Sequence, residues 1–242
     1  MITPRQSAGS GAALDYFAGR ANVLRNRVAK LEAAVAQDAV RPEQRDDVIR
    51  RAWRTRLQAL VPAFSAGEPV DVMAAELAAL GEASRSLVPT DKGDSTYILF
   101  AALACLLGAA KADARSFFER APRETDAVAM TVWLADGSDD EVDSMVSTPA
   151  YREGIEEAVQ LHIDGRPEDA VDRLATYVRD EWYWNHSEAA WFDSHKRVES
   201  GSFHGYWCFE GAATAKALGM DGAKFEGLEY FPMDMFLYEN PS

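Results

Sequence analysis

An apolar spacing of three and four residues recurs along nearly the whole chain. That period constrains the fold more than any other feature, because it marks helices with one face turned to a core. Leu14, Phe17, Ala21, Leu24, Val28, Leu31 and Val35 form the first stripe. Arg41-Pro42-Glu43 then supplies a turn with proline at a first helical position. Ile49, Trp53, Leu57, Leu60 and Phe64 make a second stripe, stopped by Ser65-Ala66-Gly67. Pro69 opens a third helix with Met73, Leu77, Leu80, Ser84 and Leu87 on its inner face, and Thr96 to Leu107 is apolar all round, as expected of a helix enclosed by others. Short connections between such elements favour antiparallel neighbours.

Past Ala121-Pro122 the texture changes. Asp126 to Leu134 reads as a helix, broken at Asp136-Gly137-Ser138-Asp139, where Ser138 or Asp139 can cap the next helical turn. A helix from about Tyr151 carries Ile155, Val159 and His162 inward, His162 as a core histidine with a hydrogen-bond partner. Gly165-Arg166-Pro167-Glu168 is a stop and restart, and the next inner face is Ala170, Leu174, Tyr177, Val178 and Glu181 or Trp182. An aromatic segment, Trp182 to Phe192, and a polar loop, Ser194 to Ser202, lead to a last long helix expected over Phe203 to Leu218 and closed by Gly219. No β-branched alternation of strand length occurs. The expected class is all-α: a bundle of about ten helices in two helical subdomains.

Charge divides the chain where the texture does. Residues 1–125 carry 17 basic and 15 acidic side chains, whereas 126–242 carry 8 and 24. Five of the six tryptophans also lie beyond residue 125. We therefore expect a near-neutral N-terminal domain, 1–125, and an acidic, aromatic-rich C-terminal domain, 126–242. The net charge of −14 repels phosphate backbones and anionic lipid, so the expected partner is neither nucleic acid nor membrane but something basic. Cys105 and Cys208 lie in apolar surroundings with no pairing framework, and Met1 to Arg5 starts no apolar leader, so the expected compartment is the cytoplasm. A homo-oligomer is possible, though nothing in the sequence indicates one.

Candidate chemistry is sparse. Gly9-Ser10-Gly11 lacks a preceding strand and a Gly-Lys-Ser/Thr, so it is no phosphate loop. His186, His195 and His204 stand nine residues apart, which on helices alternates faces instead of converging on a metal. No nucleophile-base pair is visible and no cofactor is expected; the chain reads as a non-enzyme. The densest acidic tract is Asp136, Asp139, Asp140, Glu141 and Asp143, continued by Glu153, Glu156 and Glu157. It lacks the ligand alternation of a calcium loop. Long-range fields from such tracts steer association, so these eight residues are the expected partner contacts. Glu210 sits among apolar neighbours with Trp207 and Thr214 on one helical stripe. A carboxylate so placed needs a partner, and a buried polar clasp is its expected role.

Tyr206-Trp207-Cys208-Phe209-Glu210-Gly211-Ala212-Ala213, then Ala217-Leu218-Gly219-Met220-Asp221, then Tyr230-Phe231-Pro232-Met233-Asp234 resembles the C-terminal signature of the PoNi family. Its members are immunity proteins against PoNe-type DNase toxins delivered by bacterial secretion systems, type VI among them. Cys208 stands where the family pattern has serine, Gly211 where it has alanine, and Phe231 and Met233 where it has tyrosines. The stretch from Gly165 to Tyr183 also fits. The resemblance covers about half the chain and implies Tyr206, Trp207, Phe209, Glu210, Asp221, Pro232 and Asp234 as a structural motif.

It further implies a two-part helical protein without catalysis that binds one cognate toxin, occluding its basic DNA-binding surface. The competing readings are a helical adaptor for a partner that is not a nuclease, and a hydrolase built on Glu210.

Overall fold

A computed structural model describes residues 11–87, 95–120 and 152–240. All regular structure in these residues is helical. Helix α1, Gly11–Ala36, pairs with α2, Arg45–Ser65, as a long hairpin turned through the short 3₁₀ helix Pro42–Gln44. Pro42 takes the first 3₁₀ position, where the missing N–H costs nothing. Then come α3, Val70–Ser84, α4, Ser95–Leu107, and α5, Lys111–Glu119. After residue 151 a second hairpin joins α6, Glu153–Ile163, to α7, Pro167–Thr176. A π turn, Tyr177–Glu181, runs into the short α8, Trp182–Asn185. A 3₁₀ stretch, Ser194–Ser200, takes the place of the expected polar loop. The chain ends on α9, Phe209–Ala217, the 3₁₀ turn Gly222–Phe225 and α10, Met233–Phe236.

The inner faces largely obey the apolar spacing. Phe17, Ala21, Leu24 and Val28 are buried on α1, but the stripe starts at Ala13, and Leu14 is exposed. Trp53, Leu57, Leu60 and Phe64 are buried on α2, and its indole N–H donates to the Leu80 carbonyl of α3 at 2.9 Å. Helix α4 is enclosed along almost all its length. It packs against α9, where the Cys105 thiol donates to the Ala213 carbonyl at 3.5 Å. Fully burying a residue such as Leu103 contributes about 1.5–3 kcal/mol, so the enclosure of α4 is a major source of stability. The buried apolar residues form one cluster running from Phe17 to Met235, across both charge regimes.

Long cationic side chains secure the edges. Lys216 on α9 donates to the carbonyls of Leu106, Met235 and Tyr238, tying the C-terminal turn to the end of α4; burial lowers its pKa. Arg120 donates to the carbonyl of Ser84 at the end of α3 and to those of Arg85 and Leu87 just past it. Arg25 bridges Glu68 and Glu76 at 2.8 Å each, fastening α1 to the α2–α3 connection and to α3.

The expected helix over Phe203 to Leu218 forms only from Phe209 onward. Residues 203–208 run as irregular, largely extended chain because their polar groups have other partners. The Cys208 N–H donates to the Tyr230 carbonyl at 2.8 Å, and Ser65 Oγ–H on α2 donates to the His204 carbonyl at 2.8 Å. Trp207 Nε1–H donates to Ser65 Oγ at 2.9 Å. Gly205 holds a φ of 100°, and a β-carbon there would run into Ser65 Oγ. We expect Gly205→Ala to destabilise the chain by about 2–5 kcal/mol, through backbone strain and overpacking together. Equilibrium urea unfolding measures this, and a shift under about 0.5 kcal/mol would contradict the geometry.

Candidate functional site

The signature segment builds a junction. Tyr16 Oη–H on α1 donates to the Phe203 carbonyl at 3.1 Å, and Phe17 lies 5.2 Å from the Phe203 ring. Trp207 meets Phe64 edge-on at 4.7 Å, with Phe209 6.0 Å from the same ring. Residues 203–209 are thus clamped between the first helical hairpin and the aromatic assembly beyond α7. Trp207 precedes α9, so it shares no helical stripe with Glu210 and Thr214; that expectation fails because the helix starts two residues later.

Glu210, in the first turn of α9, is half-buried. Its Oε1 accepts from Trp182 Nε1–H at 2.7 Å, and Thr214 Oγ1–H donates to the Glu210 carbonyl at 2.9 Å. The carboxylate therefore has a partner in a neutral indole instead of a cation. Burial, and next the Glu210 charge, push the Cys208 thiol well above its ordinary pKa, so it stays protonated and inert. Gly211 leaves room for the Cys208 sulfur, which lies 2.7 Å from where a β-carbon would stand.

Tyr206 is buried, and its hydroxyl meets His195 Nδ1 at 2.9 Å and the His195 N–H at 3.1 Å. Its ring touches Tyr183 and Trp191 at 5.1 and 5.6 Å. Tyr230 stacks on Tyr183 at 5.6 Å and lies against Trp182 at 5.2 Å; burial raises its pKa to about 12. Asp221 caps the Gly222–Phe225 turn by accepting from the Ala223 N–H at 3.0 Å. Pro232 is buried just before α10, and Asp234 lies exposed in its first turn. Phe231 stacks flat on Phe225 at 4.5 Å inside the core, which suits a residue with no hydroxyl to satisfy.

The histidines are dispersed. His186 Nδ1 meets the Trp182 carbonyl, His195 meets Tyr206, and His204 lies beside Arg20. His162 is half-buried, and its Nδ1 makes no hydrogen bond to the described residues. Among the described residues no three His, Cys, Asp or Glu could hold a metal ion, and no helix is long and apolar enough to cross a membrane.

Of the expected contact residues, Asp136, Asp139, Asp140, Glu141 and Asp143 lie outside the described residues. So does the expected domain boundary near 125. Glu153 and Glu157 are exposed on α6, with Glu157 paired to Arg173 at 2.5 Å, and Glu156 is half-buried. Arg173 also holds Glu181 at 2.8 Å.

Of the two candidates for the end of that inner face, Glu181 or Trp182, the structure buries Trp182 and leaves Glu181 half-buried. The π turn over Tyr177–Glu181 adds a residue to the helical register, so Tyr183 is buried beside Trp182 and Trp184 projects outward.

Residues 125–235 match the C-terminal family of the PoNe immunity proteins (PoNi). The span holds the whole signature, from Tyr206 to Asp234. No curated protein and no solved structure matches the chain.

His204 gives the junction a pH dependence. Arg20 donates to Nε2 at 3.3 Å, which leaves the proton of the neutral ring on Nδ1. Burial, and next Arg20, lower its pKa from 6.5 to about 4. On acidification the unfolded chain therefore binds this proton first, and stability conferred above pH 6.5 is lost progressively as the pH falls through 4. At about 1.4 kcal/mol per unit, the loss reaches up to about 3 kcal/mol. Carboxylates titrate in the same window, so the check is the difference between the parent and His204→Gln in urea unfolding at stepped pH. The two curves should converge on acidification; parallel curves would rule the coupling out.

Proposed function

We propose, from the match of residues 125–235 to the C-terminal family of the PoNe immunity proteins, that this chain is the immunity protein of a secreted DNase toxin and inhibits it by stoichiometric binding. The family match carries the proposal, and the charge distribution supports it independently. A DNase needs a basic groove to hold phosphates. The segment 126–242, with 8 basic and 24 acidic side chains, is what such a groove attracts. Inhibition then needs no chemistry from this chain: a docked acidic body excludes DNA by charge and by bulk. The cytoplasm is the compartment in which an incoming toxin would meet both its DNA target and this protein.

In this mechanism the carboxylates act mainly on encounter. Complementary fields raise association rates by about 10- to 1,000-fold at low ionic strength and fade as salt screens them. Affinity comes chiefly from a few desolvated anchors. DNase–immunity pairs of a different family reach dissociation constants of about 10⁻¹³–10⁻¹⁶ M, which shows what this arrangement can attain.

Titrating purified toxin with this protein should abolish DNA cleavage at one equivalent, and co-expression should restore growth of cells making the toxin. Cleavage that persists at molar excess would end the proposal. Reversing Asp139, Asp140, Glu141 and Asp143 together to lysine should slow association by about tenfold or more at low salt, and by much less at high salt. An unchanged association rate would remove that tract from the mechanism.

A further inference from the structure

Trp184 is 67% exposed, while Trp182 and Tyr183 beside it are buried. Exposed large apolar side chains are common one at a time, so exposure alone says little. The mounting of this one is informative. Helix α8, only Trp182–Asn185, is held on both sides of Trp184's neighbours: Trp182 bonds to Glu210 at 2.7 Å, and Tyr183 Oη–H donates to Asp193 at 2.9 Å. The Tyr183 ring meets the indole edge-on at 5.4 Å, with Phe192 at 6.1 Å. The indole is therefore presented on a braced platform, so little ordering entropy remains to be lost when a partner covers it.

The charge around it selects the partner. From Asp180 to Asp193 the chain carries Asp180, Glu181, Glu188 and Asp193 and no Lys or Arg. Asp180, Glu181 and Asp193 already hold Arg179, Arg173 and Lys196. Glu188 is exposed and has no ion pair among the described residues. The electron-rich face of an indole attracts guanidinium and ammonium groups, and nearby carboxylates reinforce that choice while repelling phosphate. A second copy of this chain, at net −14, is disfavoured by the same charges.

We infer that Trp184 is the anchor by which the C-terminal half grips an arginine- or lysine-bearing surface of the nuclease, with the exposed Glu188, four positions further along the chain, as the guiding carboxylate. The inference rests on the proposed function for the identity of the partner. It names one of the desolvated anchors of the proposed mechanism, at the end of the α6–α8 stretch.

The test uses the full chain and the purified nuclease, with association and dissociation rates measured for the parent, Trp184→Ala, Trp184→Phe and Glu188→Lys. Trp184→Ala should melt within a few degrees of the parent yet bind on the order of 30-fold more weakly, mostly through faster dissociation. Trp184→Phe keeps a ring face and should lose less. If Trp184→Ala fails to fold, Glu188→Lys carries the test, since it alters only an exposed side chain; about tenfold weaker binding is expected. Trp184→Ala binding within twofold of the parent overturns the inference while leaving inhibition itself intact, as does unchanged affinity of both Trp184→Phe and Glu188→Lys. A parent chain that neither binds the nuclease nor protects DNA overturns the inference and the function together.

Discussion

One buried relay holds the described parts of this protein in a single body: Trp207 Nε1–H to Ser65 Oγ, and Ser65 Oγ–H to the His204 carbonyl. Ser65 closes α2 and is fully buried; its hydroxyl lies 3.0 Å from the Val61 carbonyl of its own helix and 2.8 Å from a carbonyl partner across the fold. The segment 203–208 supplies that partner, and in doing so gives up the helix its own composition favours. An irregular stretch in the core is tolerable only where its backbone groups find other bonds. Tyr16, Ser65 and Tyr230 provide them from three sides. The acidic half is thereby fixed to a near-neutral scaffold through one continuous apolar cluster. A rigid mount of this kind holds surface charges in a constant arrangement, which matters more for selecting a partner than the net charge does.

Helix positions were legible wherever a single apolar face met a single core. The stripes of α2 and α3 and the enclosed α4 are buried as the spacing implies, and Pro42 and Pro167 begin their elements at the positions proline prefers. What the sequence hid were changes of phase and departures from helix. A π turn inserts one residue into a helical register without any residue type to announce it. The segment Phe203 to Cys208 looks helical because it is apolar, but it is apolar from being surrounded, and periodicity cannot separate those cases. Gly205 was the one clue: its φ of 100° is a conformation that a side chain at that position would resist.

The candidate site was legible in composition but not in geometry. Glu210 does find a clasp, as a lone carboxylate among apolar residues must, but its partner is Trp182, twenty-eight positions away. Local spacing put Trp182 or Glu181 on an inner face, but nothing in it pairs that indole with a carboxylate on another helix. His162 shows the converse: an inward position on the stripe leaves its Nδ1 without a hydrogen bond to the described residues.

The placement of the signature separates architecture from recognition. Tyr206, Trp207 and Phe209 are buried, and their contacts run inward to Ser65, Phe64 and His195. Side chains so enclosed cannot touch a partner, whatever family they mark. If the chain inhibits a nuclease, discrimination between one toxin and another must come from exposed residues, on the surface that these buried rings hold in place. Carboxylates can act there at a distance, but a field from many like charges attracts any basic surface, which makes it a poor discriminator alone. An exposed aromatic on a braced turn acts only at contact, where shape decides the outcome. The two features would therefore govern different stages of one binding event: charge sets how often the right surface is met, and the anchor sets whether it is kept.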